Sequence, residues 1–216
     1  MDLYFSPMAC SMATRIALYE AEAGADARFF EVDPLNKEVR NDGSDFRDVN
    51  PLGLVPTLRT DDGVILTENA AILQHVADWF PHSPIAAGSG IDRSRLQQWL
   101  CFIGTELHKG LFVPLLAKKA PPEMKAYALQ SGLSRLTYLE NHLTGRGFLL
   151  DRFSVADAYL VTVLNWTMVL PEIDLNNWPA IKAYHKRLRE RPSIVRAVAE
   201  EFELFKAEQE RHKAAA

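Results

Sequence analysis

Thr57-Leu58-Arg59-Thr60-Asp61-Asp62-Gly63-Val64-Ile65-Leu66-Thr67-Glu68-Asn69 is the stretch on which the fold of this chain turns. Two short apolar runs flank Asp61-Asp62-Gly63. Gly63 accepts the positive φ that a tight turn between antiparallel strands demands, so the spacing predicts a β-hairpin. Thr67-Glu68-Asn69 then opens a helix whose apolar residues Ile72, Leu73, Val76 and Phe80 share one face. Upstream, Leu3-Tyr4-Phe5 reads as a strand ended by Ser6-Pro7. Met12, Ile16 and Tyr19 recur at helical spacing from Ser11 to Ala23, with Gly24 as the C-cap. Ala27 to Val32 reads as a second strand, and Asp42-Gly43-Ser44 marks a loop. The order is β-α-β, a loop or short helix, then β-β-α, which makes residues 1–81 an α/β domain.

Downstream the pattern changes. A Pro/Gly/Ser-rich segment over residues 82–90 has the composition of a linker. Beyond it strand signals vanish, and helical periodicity runs through about 91–118, 123–143, 154–169, 179–190 and 193–212. Pro121-Pro122 and Glu190-Arg191-Pro192-Ser193 break the run. Residues 91–216 are therefore expected to form an all-α C-terminal domain.

Composition narrows the function classes. The 216 residues carry a formal net charge of −4 with acids and bases interspersed and no basic block, which argues against a nucleic-acid partner. The opening Met1-Asp2-Leu3-Tyr4-Phe5-Ser6-Pro7 lacks the basic and apolar regions of a signal peptide. No stretch approaches the roughly 18 apolar residues of a membrane span. A cytoplasmic protein without a membrane partner is expected. Cys10 and Cys101 are too few for a disulfide framework and fit no common zinc spacing, so no metal is expected.

Several residues stand where chemistry is possible. Cys10 follows a strand and a Ser-Pro turn at the start of a helix, where unpaired N–H groups and a partial positive charge favour a thiolate; Ser11 beside it offers a hydroxyl. The same positions also suit a small core cysteine and a helix cap. Val55-Pro56 precedes a strand: a cis bond there would turn the backbone groups of Val55 outward to pair with an extended peptide ligand, whereas a trans proline at a strand start is the ordinary case. Glu68 and Asn69 can hold a ligand ammonium and carboxylate, or simply cap their helix. In the helical half, His108 can donate to a bound sulfur, with Lys109 adding positive potential. Ser154-Val155-Ala156-Asp157 is a capping box with a structural role.

The order of these signals is more specific than any one of them. S-P-x-A-C-S, N-P-x-G-x-V-P before a strand, T-E-N-A-A-I-L opening a helix, T-E-L-H-K-G in the second half and F-S-V-A-D-A-Y late in the chain together resemble the bacterial beta-class glutathione transferases, over roughly residues 2–200. The resemblance implies a thioredoxin-like N-terminal domain, a helical domain, a homodimer and reduced glutathione as cosubstrate in detoxification. It implies that Cys10 contacts the glutathione sulfur, with Ser11 as a thiol donor and His108 as the active-site histidine. It further implies that Val55 pairs with the cysteinyl part of glutathione and that Pro56 is cis. Glu68 would hold the γ-glutamyl ammonium, Lys37 the glycyl carboxylate, and Glu106 would reach the neighbouring subunit's glutathione. Three positions depart from the family pattern: Asn69 in place of Ser, Phe5 in place of Tyr and Cys101 in place of Asn. With Asn69, carboxylate binding falls to an amide and backbone N–H groups.

The chemistry expected from that resemblance is attack of the glutathione thiolate on a small hydrophobic electrophile, aromatic or halogenated, to give a conjugate or cleave a thioether. The electrophile is expected against Phe112, Val113, Leu116 and Trp166. Two alternatives fit the same residues: a Cys10-dependent thiol–disulfide reductase or deglutathionylase, and a ligand-binding protein without turnover.

Overall fold

The structure, a computed structural model, describes residues 1–214. The chain divides into two compact units, one combining Met1–Ala86 with the chain from Pro192 onward, the other spanning Ala87–Arg191.

The first unit is built on a four-stranded sheet of order β2-β1-β3-β4. β1 (Asp2–Phe5) runs parallel to β2 (Arg28–Glu31), which obliges a crossover, and α1 (Met12–Glu20) supplies it. β3 (Thr57–Arg59) pairs antiparallel with β1, and β4 (Ile65–Leu66) antiparallel with β3. The turn between β3 and β4 holds Gly63 at φ +85°, as the hairpin reading requires. β1 is buried along its whole length. Tyr4 joins Val32, Val39 and Phe46 in one cluster, while the pleat sends Leu3 and Phe5 to the other face. α2 (Asn69–Trp79) packs beside α1.

Two sequence expectations give way here. α1 ends at Glu20 with Ala21 as its C-cap, and Glu22, not Gly24, takes the left-handed conformation, at φ 59°. Gly24 lies in the following 3-10 turn, where a Cβ would sit 2.4 Å from the Tyr19 ring, so its role is close approach. The last helix also groups differently from an undivided helical domain over 91–216. α8 (Pro192–Ala214) belongs with the sheet unit, because its apolar stripe of Ile194 and Ala197 continues into a buried Glu201 that pairs with Arg15 of α1.

The second unit is helical. α3 (Gly90–Phe102) continues into a π-helical segment, Ile103–Phe112, and then α4 (Val113–Leu116). Gly110 suits the widened register: a Cβ there would lie 2.9 Å from the Thr105 carbonyl oxygen, five residues back. α5 (Pro122–Leu143) packs against this segment, and Gly132 gives room to the fully buried Leu111. α6 (Val155–Leu164) is buried on all sides, as its unbroken apolar sequence requires. Its start is fixed by the capping box: Ser154 N and Oγ both donate to Asp157 Oδ2 at 2.9 Å. Asp157 Oδ1 also accepts from Leu149 N at 2.9 Å and from the Tyr184 hydroxyl of α7 (Pro179–Leu188) at 2.8 Å. Among the described residues, no helix is long and apolar enough to cross a membrane.

Candidate functional site

In the first unit the turn between β1 and α1 carries Cys10. The turn is closed from within: Ser11 Oγ donates to Ser6 O at 3.2 Å and accepts from Ser6 N at 3.3 Å, while Ser6 Oγ donates to Val32 O at 2.6 Å. Ser11 is fully buried. Its hydroxyl proton is engaged within the turn, so the expected donation to a thiol is not made in this arrangement. The first helical N–H groups are engaged as well: Met12 donates to Ala9 O at 3.1 Å, Ala13 to Cys10 O at 3.2 Å and Thr14 to Ser11 O at 3.0 Å. What α1 offers a thiolate here is its dipole and not those three donors.

Cys10 is partly exposed, and its thiol donates to Val55 O at 3.4 Å. The Val55-Pro56 bond is cis. The backbone of Val55 and the cysteine sulfur thus meet. Asn50 shapes the approach to that bond, with Nδ2 donating to Leu54 O at 2.8 Å and Thr57 Oγ1 at 3.0 Å.

Asn69 is not an open ligand amide. It is buried, with Nδ2 donating to Cys10 O at 3.0 Å and Oδ1 accepting from Thr14 Oγ1 at 3.2 Å. The side chain ties the start of α2 to the Cys10 turn, which is why an amide suits this position. Glu68, just before it, is exposed at φ +67° and makes no capping bond, so its carboxylate remains open to a ligand. Lys37 is also in a left-handed conformation, at φ +66°.

Two residues outside the motifs complete this turn. Glu201 is fully buried; Oε2 accepts from Met8 N at 2.7 Å and Oε1 from Arg15 Nε at 3.0 Å. Met8 itself adopts φ 59°. Arg15, buried with Glu200 as a second partner, stacks over Phe5 and Phe29 at 4.3 and 4.1 Å. Burial outweighs the Arg15 charge and lifts the Glu201 carboxyl to about 7. Sequence periodicity held the clue to both. Arg15 falls on the stripe of Met12, Ile16 and Tyr19, and Glu201 on that of Ile194 and Ala197.

In the second unit the π segment carries Glu106 and His108. His108 is buried, and burial, with Lys109 adding to it, lowers its pKa to about 4, so the ring is neutral at pH 7. Its Nδ1 lies 2.7 Å from the Tyr159 hydroxyl, and its ring is 5.1 Å from that of Trp166. Phe112 meets Trp166 edge-on at 5.8 Å. His108, Phe112 and Trp166 therefore form one aromatic group, in which Phe112 is fully buried. Val113 is 38 % exposed and Leu116 half-buried. Glu106 pairs with Arg135 at 2.9 Å, so its carboxylate has an intrachain partner. Cys101 is exposed. Among the described residues, no group of three or more His, Cys, Asp or Glu side chains is arranged to hold a metal ion.

Comparison with known proteins identifies the family of both units. The glutathione S-transferase N-terminal domain matches residues 9–79, and the C-terminal domain of the same family matches residues 105–192. The chain is 38 % identical to glutathione S-transferase GstA of Escherichia coli O157:H7 over 203 residues, covering 93 % of this chain and 98 % of that one. A sphingomonad glutathione S-transferase solved in complex with glutathione superposes with a TM-score of 0.86 at 42 % identity, covering 93 % of this chain and 98 % of its own. The bacterial beta-class glutathione S-transferase of Sphingomonas chungbukensis gives 0.85 at 38 %, with the same coverage. With its β-α-β-β-β-α unit, its cis Val55-Pro56 bond beside Cys10 and these relatives, the chain belongs to the glutathione S-transferase family.

Proposed function

We propose that this transferase binds glutathione in its first unit, along the backbone of Val55 with the sulfur at Cys10, and that the glutathione thiolate attacks a hydrophobic electrophile. The observation that carries the reading is the bond from Cys10 Sγ to Val55 O. That contact brings the Cys10 sulfur and the Val55 backbone together, so a glutathione laid along Val55 has its own sulfur beside Cys10 and is the nucleophile in this reading. Glu68 is the acceptor for the γ-glutamyl ammonium and Lys37 the donor to the glycyl carboxylate; Asn69 acts by holding the Cys10 turn. Lowering a thiol pKa by two units takes about 2.7 kcal/mol, within reach of one or two charge-assisted hydrogen bonds. The neutral His108, grouped with Trp166 and Phe112, supports an aromatic or halogenated substrate in the second unit, where a charged imidazolium would be costly. The working form in this reading is a homodimer.

A second reading rests on the partial exposure of Cys10. Its thiolate attacks a sulfur of a glutathione disulfide, forming a mixed disulfide and releasing the other sulfur as a thiolate. On a glutathione thioether the same attack at sulfur breaks the carbon–sulfur bond, and the carbon leaves as a carbanion that takes up a proton. With no second cysteine in a C-x-x-C arrangement, glutathione is then the resolving thiol.

Native mass spectrometry without reductant, after incubation with glutathione, separates the two when paired with calorimetry on the wild type and Cys10→Ala. Saturable binding without an adduct, and conjugation of an aromatic halide that survives in Cys10→Ala, is the expected result. An adduct on Cys10, with activity lost in Cys10→Ala, transfers the role to Cys10. Absence of binding sinks both.

A further inference from the structure

The last turns of α8 close on the segment that carries Lys37. After β2 the chain doubles back, and Val32 and Val39 pair across an isolated bridge. Asp33 organises this turn from inside. Its Oδ1 accepts the N–H groups of Leu35 at 2.9 Å and Asn36 at 3.4 Å, and its backbone carbonyl accepts Lys37 N–H at 3.0 Å. Lys37 is thereby set at φ +66°, with its stem along Gly53: a Cβ at that glycine would lie 3.4 Å from Lys37 Cδ and Cε. Gly53 N–H in turn donates to Asn50 O at 2.7 Å, so the lysine lies on the loop that leads to Val55. Among the described residues its ammonium group has no hydrogen-bond or ion-pair partner.

The second carboxylate oxygen of Asp33 is held from α8. His212 Nε2 lies 3.0 Å from Asp33 Oδ2, and the adjacent Arg211 pairs with Glu31 at the end of β2. One turn earlier on the same helix, Glu208 is buried with Oε2 unpartnered, and burial, with the carboxylates of Asp33 and Glu31 adding to it, pushes its carboxyl up. Burial works against the Asp33 charge too, but the Leu35 N–H and His212 outweigh it and hold that carboxyl below the usual range. Asp33 is 5 % exposed, so without His212 one of its oxygens would be left buried without a partner, at the hub of the turn.

We propose that the His212–Asp33 contact, backed by Arg211–Glu31, is a positioning device for Lys37, through which the last turn of α8 sets affinity for the glycyl carboxylate of glutathione. The proposal rests on the reading of Lys37 as the glycyl-carboxylate lysine. His212 acts through Asp33 and is a positioning residue.

Calorimetric titration with glutathione and with its glycyl monoethyl ester, which lacks that negative charge, tests it on the full chain and the variants Lys37→Met, His212→Ala and His212→Gln. Lys37→Met and His212→Ala are each expected to weaken glutathione roughly five- to tenfold, the scale of one ordinary hydrogen bond, and to change ester binding less than twofold. His212→Gln, which keeps a donor for Asp33, is expected to restore most of the affinity. A structural defect would move both ligands together. If Lys37→Met leaves glutathione binding intact, the reading of Lys37 fails and the proposal goes with it. If Lys37→Met weakens glutathione selectively while His212→Ala does not, or if His212→Ala weakens both ligands equally, the proposal alone is overturned.

Discussion

Met8 N–H donates to the Glu201 carboxylate at 2.7 Å, joining positions 193 residues apart in the chain. The bond fixes a left-handed residue two positions before Cys10 to the middle of the last helix. The other oxygen of the same carboxylate holds Arg15, itself sandwiched by Phe5 and Phe29. Sheet, turn and last helix share one buried ion pair.

Removing one partner of such a pair leaves an uncompensated buried charge, which typically costs about 3–5 kcal/mol. Glu201→Ala is expected to destabilise by that amount, read from urea unfolding at pH 7. A loss below about 1 kcal/mol would show that Glu200 alone neutralises Arg15.

The same carboxyl makes stability depend on pH. Its native pKa, about 7, stands above the ordinary 4.5. The native state therefore keeps a proton that the unfolded chain releases. The stabilisation is complete below about pH 4.5 and is lost as pH rises through about 7, on the order of 3 kcal/mol in all. Glu201→Gln, which cannot titrate, is expected to flatten the fall in melting temperature between pH 5.5 and 8. An unchanged slope would remove Glu201 from the account.

His108 contributes in the opposite direction. Its pKa near 4 lies below the ordinary 6.5, so the unfolded chain binds the proton more readily. The stabilisation is complete above about pH 6.5 and is lost as pH falls toward 4. NMR titration of the imidazole C–H resonances should show His108 without a charge change between pH 5 and 8. A midpoint in that window would mean that the ring is solvated and available as a cation.

Asp157 is fully buried and accepts from four donors, on Leu149, Ser154 and Tyr184. Asp157→Ala leaves them without a common acceptor, and a loss of about 3–5 kcal/mol is expected, with Asp157→Asn intermediate. Equal stability of all three proteins in denaturant titrations would contradict this reading of the capping box.

Much of this architecture was legible from residue patterns. The Asp61-Asp62-Gly63 turn, the strands around it and the Ser154/Asp157 box appear where their local chemistry places them, because each is decided within a few residues. The long helical signal over 91–118 was also readable, but not its change to π register. That segment packs against α5 and α6, contacts that periodicity does not encode. Ser11 and Asn69 show the limit at the site. Their residue types suit ligand binding, yet the fold turns Ser11 onto Ser6 and Asn69 onto Cys10 and Thr14. Arg15 and Glu201 differ again: each shows in the sequence as a charged residue on an apolar stripe, but their pairing is visible only when helices 186 positions apart meet.

The place of α8 also bears on how the chain is made. The sheet unit draws on both ends of the sequence, with the whole of Ala87–Arg191 between them. During synthesis the strands and α1 leave the ribosome long before the helix that neutralises Arg15 and anchors Met8. Until α8 has been made, the Cys10 turn lacks the Met8–Glu201 bond. The turn that carries Cys10 is therefore set in place only after the whole of the intervening helical unit has been made.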